Sequence, residues 1–560
     1  MARDVTDLLQ RARDWAEDDP DPQTTAELRT LLIAVERGDA DARADLEDRF
    51  DGTLEFGTAG LRGQLGAGPN RMNRVVVGRA AAGLAAYLKA QGEDGGPVVI
   101  GYDARFNSAT FATDTAEILA GAGFQALLLP HPLPTPVLAY AIRKLGCVAG
   151  VMVTASHNPA PDNGYKVYLG DGSQIVPPAD EDIAAAIGRV GNVSDPSDVP
   201  RSEDYRTLDE AVTEDYLERA LTLVNAAGAR ELDTVYTPMH GVGGGLVTRL
   251  LQRAGFAPPA VVDTQAEPDP EFPTVEFPNP EEPGALDLAY DLAERTGAEL
   301  ILANDPDADR CAVAVPLPEG GWRRLSGDEV GALLADHLLR TGSTGTFASS
   351  IVSSSQLAEI AAAAEQPHVA TLTGFKWIGR LPGLAFGYEE ALGYCVDPAA
   401  VGDKDGITAL LRIVELAAEL RAAGQTIQDR LDQIALRYGV FDTAQISIRV
   451  TDLGQTTELM DGLVRNPPEH LGGLVVERVD DLSAPSDGLP PTTGVRFRLA
   501  GSGRLERARV IVRPSGTEPK LKCYLETVVL PGEHRNLEAD RAVAREQLEI
   551  LRSELVGYLG

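Results

Sequence analysis

The residues best suited to chemistry stand in one run, Val151-Met-Val-Thr-Ala-Ser-His-Asn-Pro159. The run reads as a buried apolar strand, Cys147 to Val153, entering a polar turn that sets a hydroxyl, an imidazole and an amide in a row at Ser156, His157 and Asn158. Pro159 stops any regular continuation. A serine at such a junction is held rigidly at the carboxyl edge of the sheet, where open α/β sheets bind ligands. Asn163-Gly164 is a strong turn signal and predicts that Lys166 folds back toward Ser156. One stretch therefore offers a nucleophile and a cation. The same residues also fit a polar loop with a capping serine.

A second grouping is Asn304-Asp-Pro-Asp-Ala-Asp-Arg310, between two apolar strands. Asp305, Asp307 and Asp309 are spaced by two, which in an extended segment puts all three on one face. Three carboxylates repel one another unless a cation sits between them, and an all-oxygen set suits Mg²⁺. An EF-hand is excluded, because Arg310 stands where its glycine belongs and Pro316 where its glutamate belongs. The alternative is an Asp-rich turn with Arg310 as counter-ion. Arg513-Pro-Ser-Gly-Thr-Glu-Pro-Lys520 follows a strand and has the makings of an anion nest. Arg513 adds a bidentate partner and Lys520 a point charge; a plain turn fits too. Glu389 and Glu390 adjoin in a loop suited to sugar hydroxyls, or to a solvated helix start. Lys376 and Trp377, between Gly374 and Gly379, form an anion contact or a packed hairpin.

The elements that position these groups follow from pattern. Apolar residues at helical spacing over residues 4–19 (Val5, Leu8, Leu9, Ala12, Trp15) and again at Leu28, Leu31, Leu32 and Val35 predict two helices packing on the first domain. Phe56-Gly-Thr-Ala-Gly-Leu-Arg-Gly63 is a glycine-rich loop carrying Arg62. From residue 76 to 153 helical and strand patterns alternate, which implies crossovers and a mostly parallel sheet. Residues 177–210 read as an acidic surface connection and 266–284 as a Pro/Glu-rich loop. A second α/β unit begins near Asp215. Ser326-Gly-Asp-Glu329 is a capping box opening a third. After Tyr438-Gly439 the strands near 446–450, 472–476, 495–499 and 508–512 form a smaller α+β unit.

The chain has 560 residues, enough for about three to five domains. Its net charge of −34 argues against nucleic acid as a partner, which needs a basic face. An anionic substrate must therefore meet a local cluster of cations. Arg62, Arg105, Lys166, Arg310, Lys376, Lys404, Arg513 and Lys520 all fall in or beside the loops named above. Cys147, Cys311, Cys395 and Cys523 are far apart and beside apolar runs, so buried free thiols are expected. No signal peptide and no membrane-span pattern is evident, and a cytoplasmic setting is the expectation.

From Phe56 onward these motifs, in this order, resemble the α-D-phosphohexomutases, the phosphoglucomutase and phosphomannomutase superfamily. Thr154 to Pro159 looks like the phosphoserine loop, Asp305 to Arg310 the metal loop, Gly387 to Gly393 the sugar loop, and Arg513 to Lys520 the distal phosphate loop. The opening Phe56 to Gly63, the Gly374 to Gly379 segment and the amino-terminal extension look most like the phosphoglucomutase-2/phosphopentomutase branch. The resemblance implies an α/β architecture of four domains around a central cleft, three mixed α/β sheet domains and a smaller α+β C-terminal lid. The implied boundaries are a helical extension over 1–50, domain 1 with the phosphoserine loop over 51–210, domain 2 with the metal loop over 211–325, domain 3 with the sugar loop over 326–440, and domain 4 with the phosphate loop over 441–560.

It also implies a mechanism. Ser156 stores the phosphoryl group, and Asp305, Asp307, Asp309 and a phosphoserine oxygen hold Mg²⁺. A sugar 1,6-bisphosphate is both primer and intermediate. His157, Asn158, Arg62 and Arg310 surround the phosphoserine. Lys166 is the candidate for proton transfer, and Lys376 is a second candidate or a phosphate contact. Glu389 grips sugar hydroxyls, while Arg513, Ser515, Gly516, Thr517 and Lys520 hold the phosphate that is not reacting. One departure stands out: where the glucose-type sugar loop reads Gly-Glu-Glu-Ser or Gly-Glu-Met-Ser, this chain has Ala391 in place of the serine. The leading expectation is a glucose 1-phosphate/glucose 6-phosphate mutase, with small-molecule sugar phosphates as its partners and neither nucleic acid nor membrane. Phosphomannomutase and phosphopentomutase are the rivals within the class. A phosphatase using Asp305 as nucleophile and a non-catalytic sugar-phosphate binder are the rivals outside it. Ser156→Ala separates them, since only a mutase loses its activity.

Overall fold

The computed structural model describes residues 5–57, 60–449, 453–514, 520–532 and 536–559. The chain forms two compact units, Met1–Arg324 with Gly393–Ala418, and Leu325–Leu392 with Glu419–Gly560.

The first unit begins with three helices, Val5–Asp18, Pro22–Glu36 and Ala40–Arg49, where two were expected. The third escapes pattern reading because Leu46 is its one buried side chain. Asp21 and Asp39 cap the second and third helices, Asp21 accepting from the Gln23 N–H and Asp39 from the Asp41 and Ala42 N–H groups. Leu8, Trp15, Leu28, Leu32 and Leu46 bury together with Phe50 against Val75, Ala81 and Ile118. The extension therefore shares a core with the first α/β layer, as expected.

That layer is a mixed six-stranded sheet. Its strands lie in the order Gly60–Gln64, Asp162–Leu169, Ala149–Val153, Pro97–Tyr102, Gln125–Leu128 and Arg206–Thr207. Ala149–Val153, Pro97–Tyr102 and Gln125–Leu128 run parallel, joined through the helices Ser108–Gly121 and Thr135–Lys144. The first two strands in the order are antiparallel additions. Two turn expectations fail here. Gly60–Gln64, read as part of a glycine-rich loop, is an edge strand, with Arg62 opposite Gly164. Asn163 and Gly164, read as a turn, lie inside the strand Asp162–Leu169.

The physical reason is tertiary. Asn163 is fully buried and its amide donates to the Phe106 carbonyl and the Ser108 hydroxyl. Gly164 is needed for close approach, since a Cβ there would come 2.5 Å from the Thr154 carbonyl oxygen. The chain reversal occurs earlier, between Val153 and Asp162. The connection 177–210 is also more ordered than expected. It carries the helix Ala179–Ile187, whose Ile183 is wholly buried.

A five-stranded sheet follows, in the order Trp322–Arg324, Ala312–Pro316, Leu300–Ala303, Thr234–Thr237 and Ala260–Val261. The metal-type loop joins its antiparallel pair Leu300–Ala303 and Ala312–Pro316.

In the second unit the strands His368–Thr371, Thr346–Ser350 and Leu384–Glu389 pair in parallel. The helix Gly327–Arg340 opens with the expected capping box, Ser326 and Glu329 serving each other's backbone. The carboxyl-terminal layer is a six-stranded antiparallel sheet backed by the helix Leu537–Leu559 through Leu548, Leu551 and Leu555. Its ten-residue strand Lys520–Val529 runs alongside Val440–Arg449, and Leu521, Cys523 and Leu525 alternate into the core.

Candidate active site

Ser156 lies within the reversal after the strand Ala149–Val153 with φ +52°, a conformation a non-glycine residue adopts only when its surroundings impose it. Those surroundings are explicit. The Ser156 N–H donates to Thr154 Oγ1 at 2.9 Å. Arg105 spreads its guanidinium over four carbonyls of the same loop, those of Ser156 (2.7 Å), Asn158 (2.5 Å), Pro159 (2.9 Å) and Asp162 (3.2 Å). Arg105 is itself buried, with Asp103 at 3.3 Å and the Phe272 ring beneath it at 4.8 Å.

The hydroxyl of Ser156 donates to Asp305 Oδ2 at 2.9 Å and lies 3.2 Å from His157 Nδ1. Burial, with Arg310 and Arg62 close by, pushes His157 well below its usual pKa, so the imidazole is neutral. Arg62 donates to Asn158 Oδ1 at 3.1 Å from the neighbouring edge strand.

The three aspartates converge, but by a different geometry from the one expected. Residues 305–309 form a tight turn rather than an extended segment. The Ala308 N–H returns to the Asp305 carbonyl at 2.9 Å, and Ala308 takes φ +53°. All three carboxylates are fully buried, with one oxygen of each within 4.8 Å of the others. Their outer oxygens are engaged. Asp305 Oδ1 accepts from the Arg310 N–H at 3.0 Å. Asp307 Oδ2 accepts from Thr135 Oγ1 at 2.6 Å and Lys166 Nζ at 2.7 Å. Asp309 Oδ2 meets Lys166 Nζ at 3.0 Å and Lys404 Nζ at 3.1 Å. Among the described residues, Asp307 Oδ1 and Asp309 Oδ1 have no hydrogen-bond partner although both are buried. Buried carboxylate oxygens without partners are costly. A hard divalent cation such as Mg²⁺ satisfies them, so this donor set fits one.

The electrostatics separate the three acids. Burial and the charges of Asp307 and Asp309 push Asp305 up to about 8. Burial also works against ionising Asp307 and Asp309, yet Lys166 beside both, with Lys404 beside Asp309, holds them below the usual carboxylate range. Burial likewise opposes charge on Lys166, and Asp307 and Asp309 outweigh it, so the ammonium is held above its usual value. A lysine acting as a base needs the opposite shift.

One residue of this site, Thr135, was not singled out from sequence, and Arg105 and Lys404 were counted only among the cations near the loops. Thr135 opens the helix Thr135–Lys144, Arg105 follows the strand Pro97–Tyr102, and Lys404 precedes the helix Gly406–Ala422. Each appears in sequence as an ordinary polar residue at an element boundary. Lys404 is fixed from both flanks. Asp403 accepts from Tyr168 at 2.9 Å and Gln174 at 2.8 Å, and Asp405 accepts from Tyr216 at 2.9 Å. Gly406 then packs so closely on the metal-type loop that a Cβ would come 2.2 Å from the Arg310 carbonyl oxygen.

In the second unit, Glu389 closes the strand Leu384–Glu389 rather than standing in a loop, and its Oε1 accepts from the Gly374 N–H at 2.7 Å. Glu390 Oε2 accepts from Ser350 (3.0 Å) and Ser353 (2.9 Å). Lys376 sits on a short helix, Phe375–Ile378, not a hairpin, with its ammonium 5.8 Å from the Trp377 ring centroid. Arg513 Nη1 donates to Thr373 Oγ1. Lys520 begins the strand Lys520–Val529. Ser515, Gly516 and Thr517 lie outside the described residues.

Family models for phosphoglucomutase/phosphomannomutase match in chain order: α/β/α domain I over residues 53–193, domain II over 214–319, domain III over 326–438 and the C-terminal domain over 478–541. The chain belongs to this family. Membership makes it an isomerase, an intramolecular phosphotransferase of the α-D-phosphohexomutase superfamily with the four-domain architecture. A "Probable phosphomannomutase" of Haemophilus influenzae is 51% identical over 466 residues, covering 81% of this chain and 93% of its own. A "Probable phosphoribomutase" of Schizosaccharomyces pombe is 37% identical over 559 residues, covering 92% and 93%. The solved phosphoglucomutase/phosphomannomutase family protein of Burkholderia thailandensis shares the fold at 20% identity, with a TM-score of 0.68 over 89% of this chain and 96% of its own. Among the described residues no helix is long and apolar enough to cross a membrane.

Proposed function

We propose that this phosphohexomutase interconverts glucose 1-phosphate and glucose 6-phosphate through a phosphoserine at Ser156 and a glucose 1,6-bisphosphate intermediate. The observation that carries the reading is the 2.9 Å contact between Ser156 Oγ and Asp305, beside two buried carboxylate oxygens that lack partners. One oxygen each from Asp305, Asp307 and Asp309, with one from the phosphoserine, would hold Mg²⁺, which supplies charge neutralisation for the transferring phosphoryl group.

The chain's own groups do the rest. Ser156 gives its phosphoryl group to the free hydroxyl of the sugar monophosphate. The P–Oγ bond breaks, a P–O bond to the sugar forms, and the sugar hydroxyl's proton ends on Ser156 Oγ, restoring the serine hydroxyl. The reverse transfer then returns the other phosphate of the bisphosphate to Ser156. His157, neutral and 3.2 Å from Oγ, is placed to take the serine's proton in that second step. Lys166, the candidate for proton transfer, is held protonated and donates hydrogen bonds that keep Asp307 and Asp309 ionised. Arg62, Asn158 and Arg310 surround the phosphoryl group. Glu389 grips sugar hydroxyls, with Lys376 as a phosphate contact. Arg513, Ser515, Gly516, Thr517 and Lys520 hold the distal phosphate. Four buried free cysteines suit a reducing, cytoplasmic setting.

A pentose or mannose phosphate is the second reading. Ala391 removes one hydroxyl from the sugar loop, and relatives named for phosphomannomutase and phosphoribomutase activity keep both sugars in view. The test is a panel of glucose, mannose, ribose and deoxyribose 1-phosphates with Mg²⁺ and a trace of bisphosphate. Both the terminal phosphate isomer and free phosphate are followed. A glucose lead supports the first reading and a pentose or mannose lead the second. Free phosphate without isomer sinks both and moves Asp305 into the nucleophile's place.

A further inference from the structure

We propose that Thr135 is a positioning residue for the metal, acting through Asp307. The inference rests on the metal reading of the aspartate trio given above. Thr135 opens the ten-residue helix Thr135–Lys144 and is wholly buried, as is Asp307. One residue holds Asp307 twice. The Thr135 N–H donates to the Asp307 carbonyl at 3.0 Å, and its hydroxyl donates to Asp307 Oδ2 at 2.6 Å. Backbone and side chain of the aspartate are thus fixed by one partner that lies 172 residues earlier in the chain.

The consequence is a division of labour between the two oxygens. Thr135 and Lys166 both occupy Oδ2 of Asp307, so that atom has little left to offer, and Oδ1 is the one left without a partner. The hydroxyl fixes the rotation of the carboxylate, and with Oδ2 engaged it is Oδ1 that is left to meet a metal. The residue type matters. A third cation in place of Thr135 would draw charge from Asp307 and compete with the metal, whereas a neutral hydroxyl orients the group and leaves its charge intact. A β-branched side chain has few χ1 choices, which makes threonine a stiffer donor than serine. Pro134 and Pro136 flank it and fix the backbone on both sides, and Pro136 stands in the first helical turn, where its missing N–H costs nothing. Because Lys166 still serves Oδ2, removing the hydroxyl does not strand a buried acceptor, so the fold should survive the substitution.

The experiment is Mn²⁺ binding to the sugar-free protein, followed by the loss of the free-ion electron paramagnetic resonance signal, with melting temperatures taken in parallel. Thr135→Val keeps the shape and removes the donor, and should weaken Mn²⁺ binding by about tenfold or more. Thr135→Ala removes the donor without adding a methyl group and must behave the same way. Thr135→Ser retains the donor and should stay within about threefold of wild type, all three melting close to wild type. Equal Mn²⁺ binding by wild type, Thr135→Val and Thr135→Ala overturns this inference alone. So does a Thr135→Ser as weak as Thr135→Val, because packing rather than the hydroxyl would then be responsible. A wild-type protein that takes up no Mn²⁺ overturns the metal reading itself, and this inference with it.

Discussion

Two groups of carboxylates, one in each unit, are held in opposite ways. Around Asp305, Asp307 and Asp309 the outer oxygens meet lysine ammoniums, a serine hydroxyl, a threonine hydroxyl and one backbone N–H. Around Asp328 and Glu390 they meet neutral donors. Asp328 accepts from the Ser354 N–H, Tyr388 and Thr443, Glu390 from Ser350 and Ser353, and the adjoining Glu389 from the Gly374 N–H. Cations keep two of the first group ionised despite burial. Burial, with the charge of Glu389 beside it, raises Glu390, and burial with the charge of Glu390 pushes Asp328 up to about 6, the neutral donors only partly opposing the rise. A carboxylate cluster balanced by fixed cations can exchange part of that balance for a metal and a phosphoryl group. A cluster lined by hydroxyls and amides is already tuned to such groups, which is what recognition of a sugar requires. On the proposed function, the same side chains would serve chemistry in one place and selection in the other because their neighbours differ.

The comparison can be broken at either end. Ser156→Ala removes the acceptor of the phosphoryl group and should lower mutase turnover by on the order of 10⁴ or more, measured as isomer formation. Asp309→Asn removes the charge that faces Lys166 and Lys404. It should cost several kcal/mol of transition-state stabilisation, on the order of a thousandfold in kcat, and lower the melting temperature, since the buried Lys166 and the half-buried Lys404 each lose a counter-ion. Glu389→Gln acts on recognition. It should raise KM for the sugar phosphate by roughly tenfold while kcat changes less, as read from full saturation curves; an effect confined to kcat would place Glu389 in the chemistry instead.

The smallest effect is on stability. The folded protein holds the Asp328 proton more tightly than an unfolded chain, where an aspartate titrates near 3.8. Its share of stability is therefore present below pH 4 and is lost as the pH rises toward 6, by on the order of 2 kcal/mol for a partly exposed group. Melting curves from pH 4 to 7 should fall less steeply for Asp328→Asn than for wild type. Parallel curves would show that Asp328 does not titrate in that window.

Much of this was legible in sequence, for reasons that differ by residue. Ser156 was found because an apolar strand ends beside it, and the aspartates because their spacing is unusual. The capping box at Ser326 is local and formed as read. Asn163-Gly164 misled because a local turn preference yields to strand pairing once Asn163 is buried and Gly164 lies against Thr154. The aspartates converge through a turn at Ala308, not through extended alternation, so the inference was right for a different geometry. Thr135 was missed, and Arg105 and Lys404 were counted as cations without their tasks, because what each does depends on partners far along the chain. A threonine at a helix start carries no mark of the Asp307 it will meet.

The central claim is that Ser156 carries the phosphoryl group. It is tested most directly by incubating the protein with glucose 1,6-bisphosphate and Mg²⁺, then mapping the phosphorylated residue by mass spectrometry of its peptides before and after adding glucose 1-phosphate. The account predicts a phosphoryl group on Ser156 that is lost to the sugar, with bisphosphate formed and no free phosphate. Phosphate on Asp305, or an unmodified Ser156 in a protein that still turns over, would contradict it.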